Sequence, residues 1–334
     1  MKKTILLIGG GGYIGSVIAE YFLIKKNYKV KIYDNFIYGN SFIKKNYLKS
    51  NDISFTTGDI NDSEKLAKEL EGIDYVVILA GLVGDPITKK YPNESLEINL
   101  FGIKKVLITL NEKGLKKVIF ISTCSNYGLL ENNQIANESY PLKPLSLYAE
   151  HKVQIENFIL SLKNKIDYSP TILRFATAFG LSPRMRFDLS VNEFTFEIAN
   201  KKELEIYDEN TWRPYCHVQD FSRIIENVLE VEDNKTHFEI FNAGSDINHA
   251  TKKDIINIIT DYIPDLKVKY SKNGNDARNY RVDFSKLEKA LNFQPSFTIK
   301  DGVEEILKAI KDRKFIDVDD NRNIYGNYFI DYKY

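Results

Sequence analysis

Two cysteines in 334 residues, Cys124 and Cys216, are too few for a disulfide framework, and no Cys/His cluster has the spacing of zinc ligands. A reducing cytoplasm is the expected setting, and no metal is expected. Net charge is lacking too: Lys+Arg and Asp+Glu number 46 each, so no chain-wide field holds a polyanion and nucleic acid is not an expected partner. The lysine doublets Lys25-Lys26, Lys44-Lys45, Lys116-Lys117 and Lys201-Lys202 are scattered and read as solvated faces. No apolar run approaches the roughly 18 residues of a membrane helix, so no membrane is expected either. The start, Met1-Lys2-Lys3 before Ile5-Leu6-Leu7-Ile8, imitates a signal peptide until four glycines interrupt it, and it reads as a strand. Internal repeats and low-complexity linkers are also missing.

What is present is a globular composition, 43% hydrophobic and 28% charged, at a length that fits two domains or one large α/β unit. Short apolar runs alternate with longer amphipathic stretches in the first half, the pattern of βαβ units around a parallel sheet buried on both faces. The expected strands are 4–8, 29–33, 53–57, 75–79, 118–122 and 168–175, with helices at 13–25, 63–70, 93–113 and 146–163. After Gly180 the alternation gives way to shorter elements. The expectation is therefore a Rossmann-type doubly wound α/β domain over 1–180 carrying the catalytic residues, a smaller, mainly substrate-binding lobe over 181–314, and a tail over 315–334. That tail carries Tyr325, Tyr328, Phe329, Tyr332 and Tyr334 without a period, and packs either on the body or on a partner.

The first strand runs into Gly9-Gly10-Gly11-Gly12-Tyr13-Ile14-Gly15, and an amphipathic helix comes at once after it. Glycines at this spacing allow a tight turn, a backbone that touches pyrophosphate and close helix–strand packing, with the helix N-terminus facing the anion. A structural glycine turn gives the same letters, so context decides. Asp34 ends the next strand nineteen residues after Gly15, where a carboxylate meets the adenosine ribose. It would repel a 2′-phosphate, and no arginine adjoins it, so NAD is expected over NADP. A Walker loop is excluded because no Gly-Lys-Ser/Thr comes after the glycines.

Tyr148 and Lys152 stand four residues apart and so share one helix face. The spacing alone is weak, since Tyr21 and Lys25 repeat it. Its context is the strand 118–122, which releases Thr123, Cys124 and Ser125 at the end expected to face the cofactor crevice. A phenol with a pKa near 10 needs lowering by about 3 units, roughly 4 kcal/mol, to act as a base at neutral pH. One cation at about 4 Å supplies about that at an effective dielectric near 20. Lys152 and the positive nicotinamide ring would thus poise Tyr148 to take an alcohol proton, with Thr123 bonding the same oxygen.

These features together resemble the extended short-chain dehydrogenase/reductases, the NAD-dependent epimerase/dehydratase family acting on nucleotide sugars. The resemblance spans 3–312 and includes Tyr33-Asp34-Asn35, Gly58-Asp59-Ile60, Leu79-Ala80-Gly81, Leu173-Arg174-Phe175, the run from Arg213 to Asp220, and Asp283-Phe284-Ser285-Lys286. It implies that Asn35, Asp59, Ile60, Leu79, Ala80 and Gly81 border the cofactor and that Asn99 supports the site from its helix. Asn192, Arg213 and Arg278 would hold the nucleotide diphosphate, with Cys124, Ser125 and Thr177 near the sugar. It further implies a homodimer formed through the helices 93–113 and 146–163.

Departures from the family narrow the reaction. Its 4,6-dehydratases place acids after the residue matching Thr123, whereas Cys124 and Ser125 stand there in this chain, so a dehydratase is not expected. Two GDP-sugar branches use a cysteine at the place of Ser125; Cys124 is one residue early and also reads as a small buried thiol. Thr177 replaces an asparagine of many 4-epimerases. The run from Ser182 to Leu189 is similar to a branch that includes GDP-heptose 4-dehydrogenases of bacterial polysaccharide pathways. There Arg184 and Arg186 meet phosphate or sugar, or else form an exposed turn between lobes. The expected activity is NAD-dependent oxidation at C4 of a nucleoside-diphosphate sugar, as a 4-epimerase or 4-dehydrogenase. A 4-keto-sugar reductase and a non-catalytic dinucleotide-binding regulator are the alternatives. His217 and His151 are expected to be structural.

Overall fold

The computed structural model describes residues 2–47, 50–130, 134–201, 203–265, 267–272, 274 and 278–332. Lys202 and Tyr334 lie outside the described residues. Among the described residues fourteen strands succeed one another: β1 (Lys3–Ile8), β2 (Tyr28–Asp34), β3 (Ile53–Thr57), β4 (Tyr75–Ile78), β5 (Lys117–Thr123), β6 (Ile135–Ala136), β7 (Ser169–Phe175), β8 (Thr177–Phe179), β9 (Leu204–Tyr207), β10 (Trp212–His217), β11 (Glu239–Ala243), β12 (His249–Thr251), β13 (Val268–Ser271) and β14 (Arg281–Val282). Seven form one sheet in the order β11-β7-β5-β4-β1-β2-β3, every pairing parallel.

The central strands β1, β4 and β5 are mainly apolar because both faces are covered. Successive residues point to opposite sides: Ile5, Leu7, Val77 and Ile119 enter one core with Phe22 and Phe221, while Leu6, Ile8, Val76 and Val118 enter the other with Leu107 and Ile155. Helices Tyr13–Lys25 and Val218–Glu230 cover the first face, and Ile103–Thr109 and Leu147–Ser161 the second. This is the doubly wound, Rossmann-type α/β sheet.

Two expectations need correction. β11 comes from the stretch assigned to the second lobe, yet it pairs with β7 from Glu239↔Thr171 to Ala243↔Phe175 and completes the sheet. The chain therefore returns to the first unit after residue 180. The continuous helix expected over 93–113 is instead Pro92–Leu96, a π-helical segment Glu97–Gly102 and Ile103–Thr109. The wider turn accommodates Asn99, which accepts from the Leu82 N–H at 2.7 Å and donates to the Leu82 carbonyl at 2.9 Å.

β8, β9 and the helices Ser190–Ala199, Lys252–Thr260 and Ile299–Lys311 build a smaller lobe with its own core of Phe179, Val191, Ile198, Ile206, Ile255 and Val303. The tail packs on the body: Phe187 meets Phe315 edge-on at 5.0 Å, and its N–H donates to the Tyr325 carbonyl at 2.7 Å. Among the described residues, no helix is long and apolar enough to cross a membrane, and no group of three or more His, Cys, Asp or Glu is placed to hold a metal.

Candidate active site

Strand order reverses between β1 and β4, which opens a crevice at their carboxyl ends. Gly9 has a φ of +83°, and a Cβ there would lie 2.5 Å from the Ala80 nitrogen at the end of the neighbouring strand. A Cβ on Gly15 would lie 2.6 Å from the Gly10 Cα, so this residue sets the approach of helix to strand. At Gly12 the added carbon would meet only the Gly9 carbonyl at 3.5 Å, and no side chain caps the helix that begins beside it. An uncapped helix N-terminus over an open cradle suits an anion.

Asp34 ends β2 beside this loop, and its carboxylate accepts from the N–H of Gly11 at 2.8 Å and of Phe36 at 2.7 Å. Burial pushes its pKa up, against the two amide donors and the charges of Arg184 and Lys44. Farther out, Asn35 donates to Asp59 at 3.1 Å.

The crevice widens into a cleft of about 610 Å³ that reaches both lobes. Gly9, Gly12, Tyr13, Ile14, Gly15, Asp34, Asn35, Asp59, Ile60, Leu79, Ala80, Gly81, Thr123, Ser125, Tyr148, Lys152, Thr177, Arg184, Arg186, Arg213 and Arg278 all line it. Three expected residues do not. Cys124 is buried and donates to the Arg174 carbonyl at 3.1 Å. Asn192 is spent on the Gly180 N–H, the Tyr13 hydroxyl and the Arg186 carbonyl, so it is no diphosphate ligand in this arrangement. Asn99 shapes the Gly81–Leu82 turn from behind.

Tyr148 and Lys152 come from helix Leu147–Ser161, whose cap is the Ser146 hydroxyl accepting from the Ala149 N–H. Their relation differs from the expected one. Lys152 Nζ donates to the Ile121 carbonyl at 2.6 Å and sits 5.9 Å from the Tyr148 ring centre. Burial lowers its pKa to about 7, opposed by Glu156. Burial also pushes the Tyr148 phenol well above its usual range, against the positive charges of Arg186 and Arg278 and a hydrogen bond with Thr123. The cations facing the phenol are therefore arginines already engaged with acids. Arg186 clasps Asp188 through bonds of 2.9 and 2.6 Å, and Arg278 lies 3.1 Å from Asp85 and donates to Ser125 at 3.2 Å.

Sequence reasoning missed Tyr38, Asp85, Asp188, Glu193, Tyr280, Asn327 and Tyr328, all of which line the cleft. Asp188 stands two residues from Arg186, the one local signal available; the others arrive through tertiary packing. Glu193 is buried enough that its pKa rises to about 7. His217 bonds Glu305 at 2.8 Å and caps the helix after it, and His151 meets Ser95 at 3.3 Å; both serve the structure.

The model of the NAD-dependent epimerase/dehydratase family matches residues 5–244. The chain belongs to that family. NAD is its cofactor, and the residues fit one: the glycine cradle is open, and the Tyr38 hydroxyl, Asp85 Oδ1, Arg184 Nε and Asn327 Oδ1 are buried polar atoms without a partner among the described residues, all on residues that line the cleft. An uncharacterised UDP-glucose epimerase of Bacillus subtilis is 27% identical over 90% of this family member and 95% of its own length. A dTDP-D-glucose 4,6-dehydratase of Dictyostelium discoideum is 28% identical over 98% and 84%. The crystal structure of a UDP-glucuronic acid 4-epimerase from Bacillus cereus, in complex with UDP-glucuronic acid and NAD, has a TM-score of 0.82. It is 26% identical, covering 92% of this chain and 99% of that one.

Proposed function

We propose that this family member oxidises C4 of a nucleoside-diphosphate sugar, as a 4-epimerase or a 4-dehydrogenase. The observation that carries the reading is the placement of Thr123 and Tyr148 on one cleft with the Gly9–Gly15 loop. Tyr148, as a phenolate once the positive nicotinamide charge offsets the burial that raises its pKa in the cofactor-free site, takes the proton of the C4 hydroxyl, and Thr123 bonds the same oxygen. Lys152, fixed on the Ile121 carbonyl, lends positive charge beneath the cofactor-facing side of the helix. When bound, NAD supplies the acceptor for the hydrogen removed from C4. Arg213 and Arg278 line the same cleft from the second lobe and suit the diphosphate.

The residues after Thr123 favour this chemistry over 4,6-dehydration. Water loss needs an acid that shuttles a proton, and here Cys124 is turned into the core while Ser125 bonds Arg278. The carboxyls that do reach the cleft sit on other elements, and Asp85 and Asp188 are held in ion pairs. Asp34 has no arginine beside it in the sequence, and Arg184, which reaches it electrostatically, is engaged with the Asn323 and Gly326 carbonyls, so the carboxylate favours NAD and weighs against an NADPH-dependent reductase.

The test tracks the near-ultraviolet absorbance of purified protein while UDP-, GDP-, dTDP- and CDP-sugars, a GDP-heptose among them, are added singly and products identified. A reduced-nicotinamide band with a 4-keto product marks a 4-dehydrogenase, and an epimerised sugar without net absorbance change a 4-epimerase. A 4-keto-6-deoxy product refutes the reading.

A further inference from the structure

Beyond its last long helix, Ile299–Lys311, the chain doubles back along the cleft. Residues beyond Asn323 are tied down at three places, each bearing on a cleft-lining residue. At the near end the buried Arg184 guanidinium donates to the Gly326 carbonyl at 2.8 Å and the Asn323 carbonyl at 3.3 Å, and lies 5.0 Å from the Tyr38 ring centre. In the middle, Asn327 donates to the Val83 carbonyl at 3.1 Å. At the far end the Tyr332 hydroxyl donates to Asp59 at 3.0 Å and accepts from Asn61 at 3.1 Å. Between these anchors Lys90 donates to the Tyr328 carbonyl at 3.1 Å, and Ile330 is buried in the same core as Ile60 and Tyr33.

Two details point to a ligand beneath this segment. Asn327 is 93% buried, since its relative exposure is 7%, and lines the cleft, yet its Oδ1 has no partner among the described residues. Arg184 likewise holds the segment with one side of its guanidinium while its Nε stays unsatisfied on the cleft wall. A buried amide oxygen and a buried guanidinium N–H cost free energy unless something fills their bonding capacity. The anchors also track the axis of the dinucleotide site: Arg184 bears electrostatically on Asp34 at the ribose carboxylate, and Tyr332 on Asp59.

We propose that residues 323–332 form the outer wall of the dinucleotide site, a strap that covers bound NAD and keeps it resident between turnovers. Asn327 and Arg184 then complete their hydrogen bonds on the dinucleotide. The strap occupies no part of the Thr123–Tyr148 machinery, so its role stands apart from the identity of the sugar.

The test measures how fast NAD leaves the sugar-free protein, by chasing bound NAD with excess 1,N6-etheno-NAD. Three forms are compared: the full chain, a chain ending at Gly326, and the double variant Asn327→Leu/Tyr332→Phe, which keeps the packing volume. Both altered forms should release NAD at least about tenfold faster, the loss of one or two hydrogen bonds. Unchanged melting temperatures without NAD establish that each is folded; if the truncated chain is not, the double variant decides. Release within twofold of the full chain in the folded altered forms overturns the strap. That result would leave the C4 chemistry untouched, because no sugar takes part.

Discussion

Glu156 and Arg174 form an ion pair beneath the turn that carries Thr123 and Ser125, with side-chain exposures of 2% and 3%. Arg174 Nε reaches both carboxylate oxygens at 3.1 Å and Nη2 reaches Oε2 at 2.7 Å, while Ser122 and Asn126 donate to Oε1. Glu156→Gln keeps the size but leaves the guanidinium buried without a counter-charge. Breaking such a pair from one side costs about 3–5 kcal/mol. Unfolding entropy near 2.1 cal/mol/K per residue gives about 0.7 kcal/mol/K for 334 residues, so the melting temperature should fall by about 4–7 °C. The double variant Glu156→Met/Arg174→Met removes both members of the pair together and should recover at least half of that fall, because the guanidinium is no longer left buried without its counter-charge. Thermal unfolding of NAD-free protein by circular dichroism reads both. A single variant within about 1 °C of the parent, or a double variant melting below the single, refutes the reasoning.

Tyr148→Phe should lower turnover at least about a hundredfold while NAD stays bound, and turnover within tenfold of the parent would remove the phenol from the proposed chemistry. Lys152 binds a proton less readily folded than unfolded between about pH 7 and its ordinary 10.5. The NAD-free protein should therefore gain stability as pH rises through that window, by at most about 1.4 kcal/mol per unit from this group, and Lys152→Met should lack the gain. Parallel stability profiles for the two proteins would contradict it. Leu96, Phe101, Ile108 and Leu160 are exposed on neighbouring helices over the second sheet face, and a homodimer would cover them. The parent should sediment as a dimer and Phe101→Asp/Ile108→Asp as a monomer; a monomeric parent refutes the interface.

The alternating apolar runs made six strands and the helix Tyr13–Lys25 legible, because a parallel strand buried on both faces is apolar along most of its length. β11 escaped because Glu239-Ile240-Phe241-Asn242-Ala243 is an edge strand with a half-buried start, and nothing in its letters distinguishes it from the lobe around it. The break at Glu97–Gly102 escaped for another reason. The apolar period persists through it, and the cause is Asn99 reaching Leu82 seventeen residues away. Arg184 and Arg186 were legible as cations but not in their partners: one holds tail carbonyls some 140 residues on, the other a neighbour two residues away.

The helix of Tyr148 carries a longer signal than the pair first read from it. Tyr148, Lys152 and Glu156 stand at four-residue steps and therefore lie on one face, a phenol, an ammonium and a carboxylate in order along the helix. The structure gives the third member its meaning. Burial pulls Lys152 down to about 7, and the Glu156 charge is the influence that opposes it. Arg174 clasps Glu156, and the same carboxylate accepts from Ser122 and Asn126 on either side of the Thr123–Ser125 turn. One buried acid thus opposes the burial of the lysine and fixes the turn that presents Thr123. The spacing showed that the groups share a face; only the parallel pairing of β5 and β7, which sets Ser122 beside Arg174, decides which of them act together.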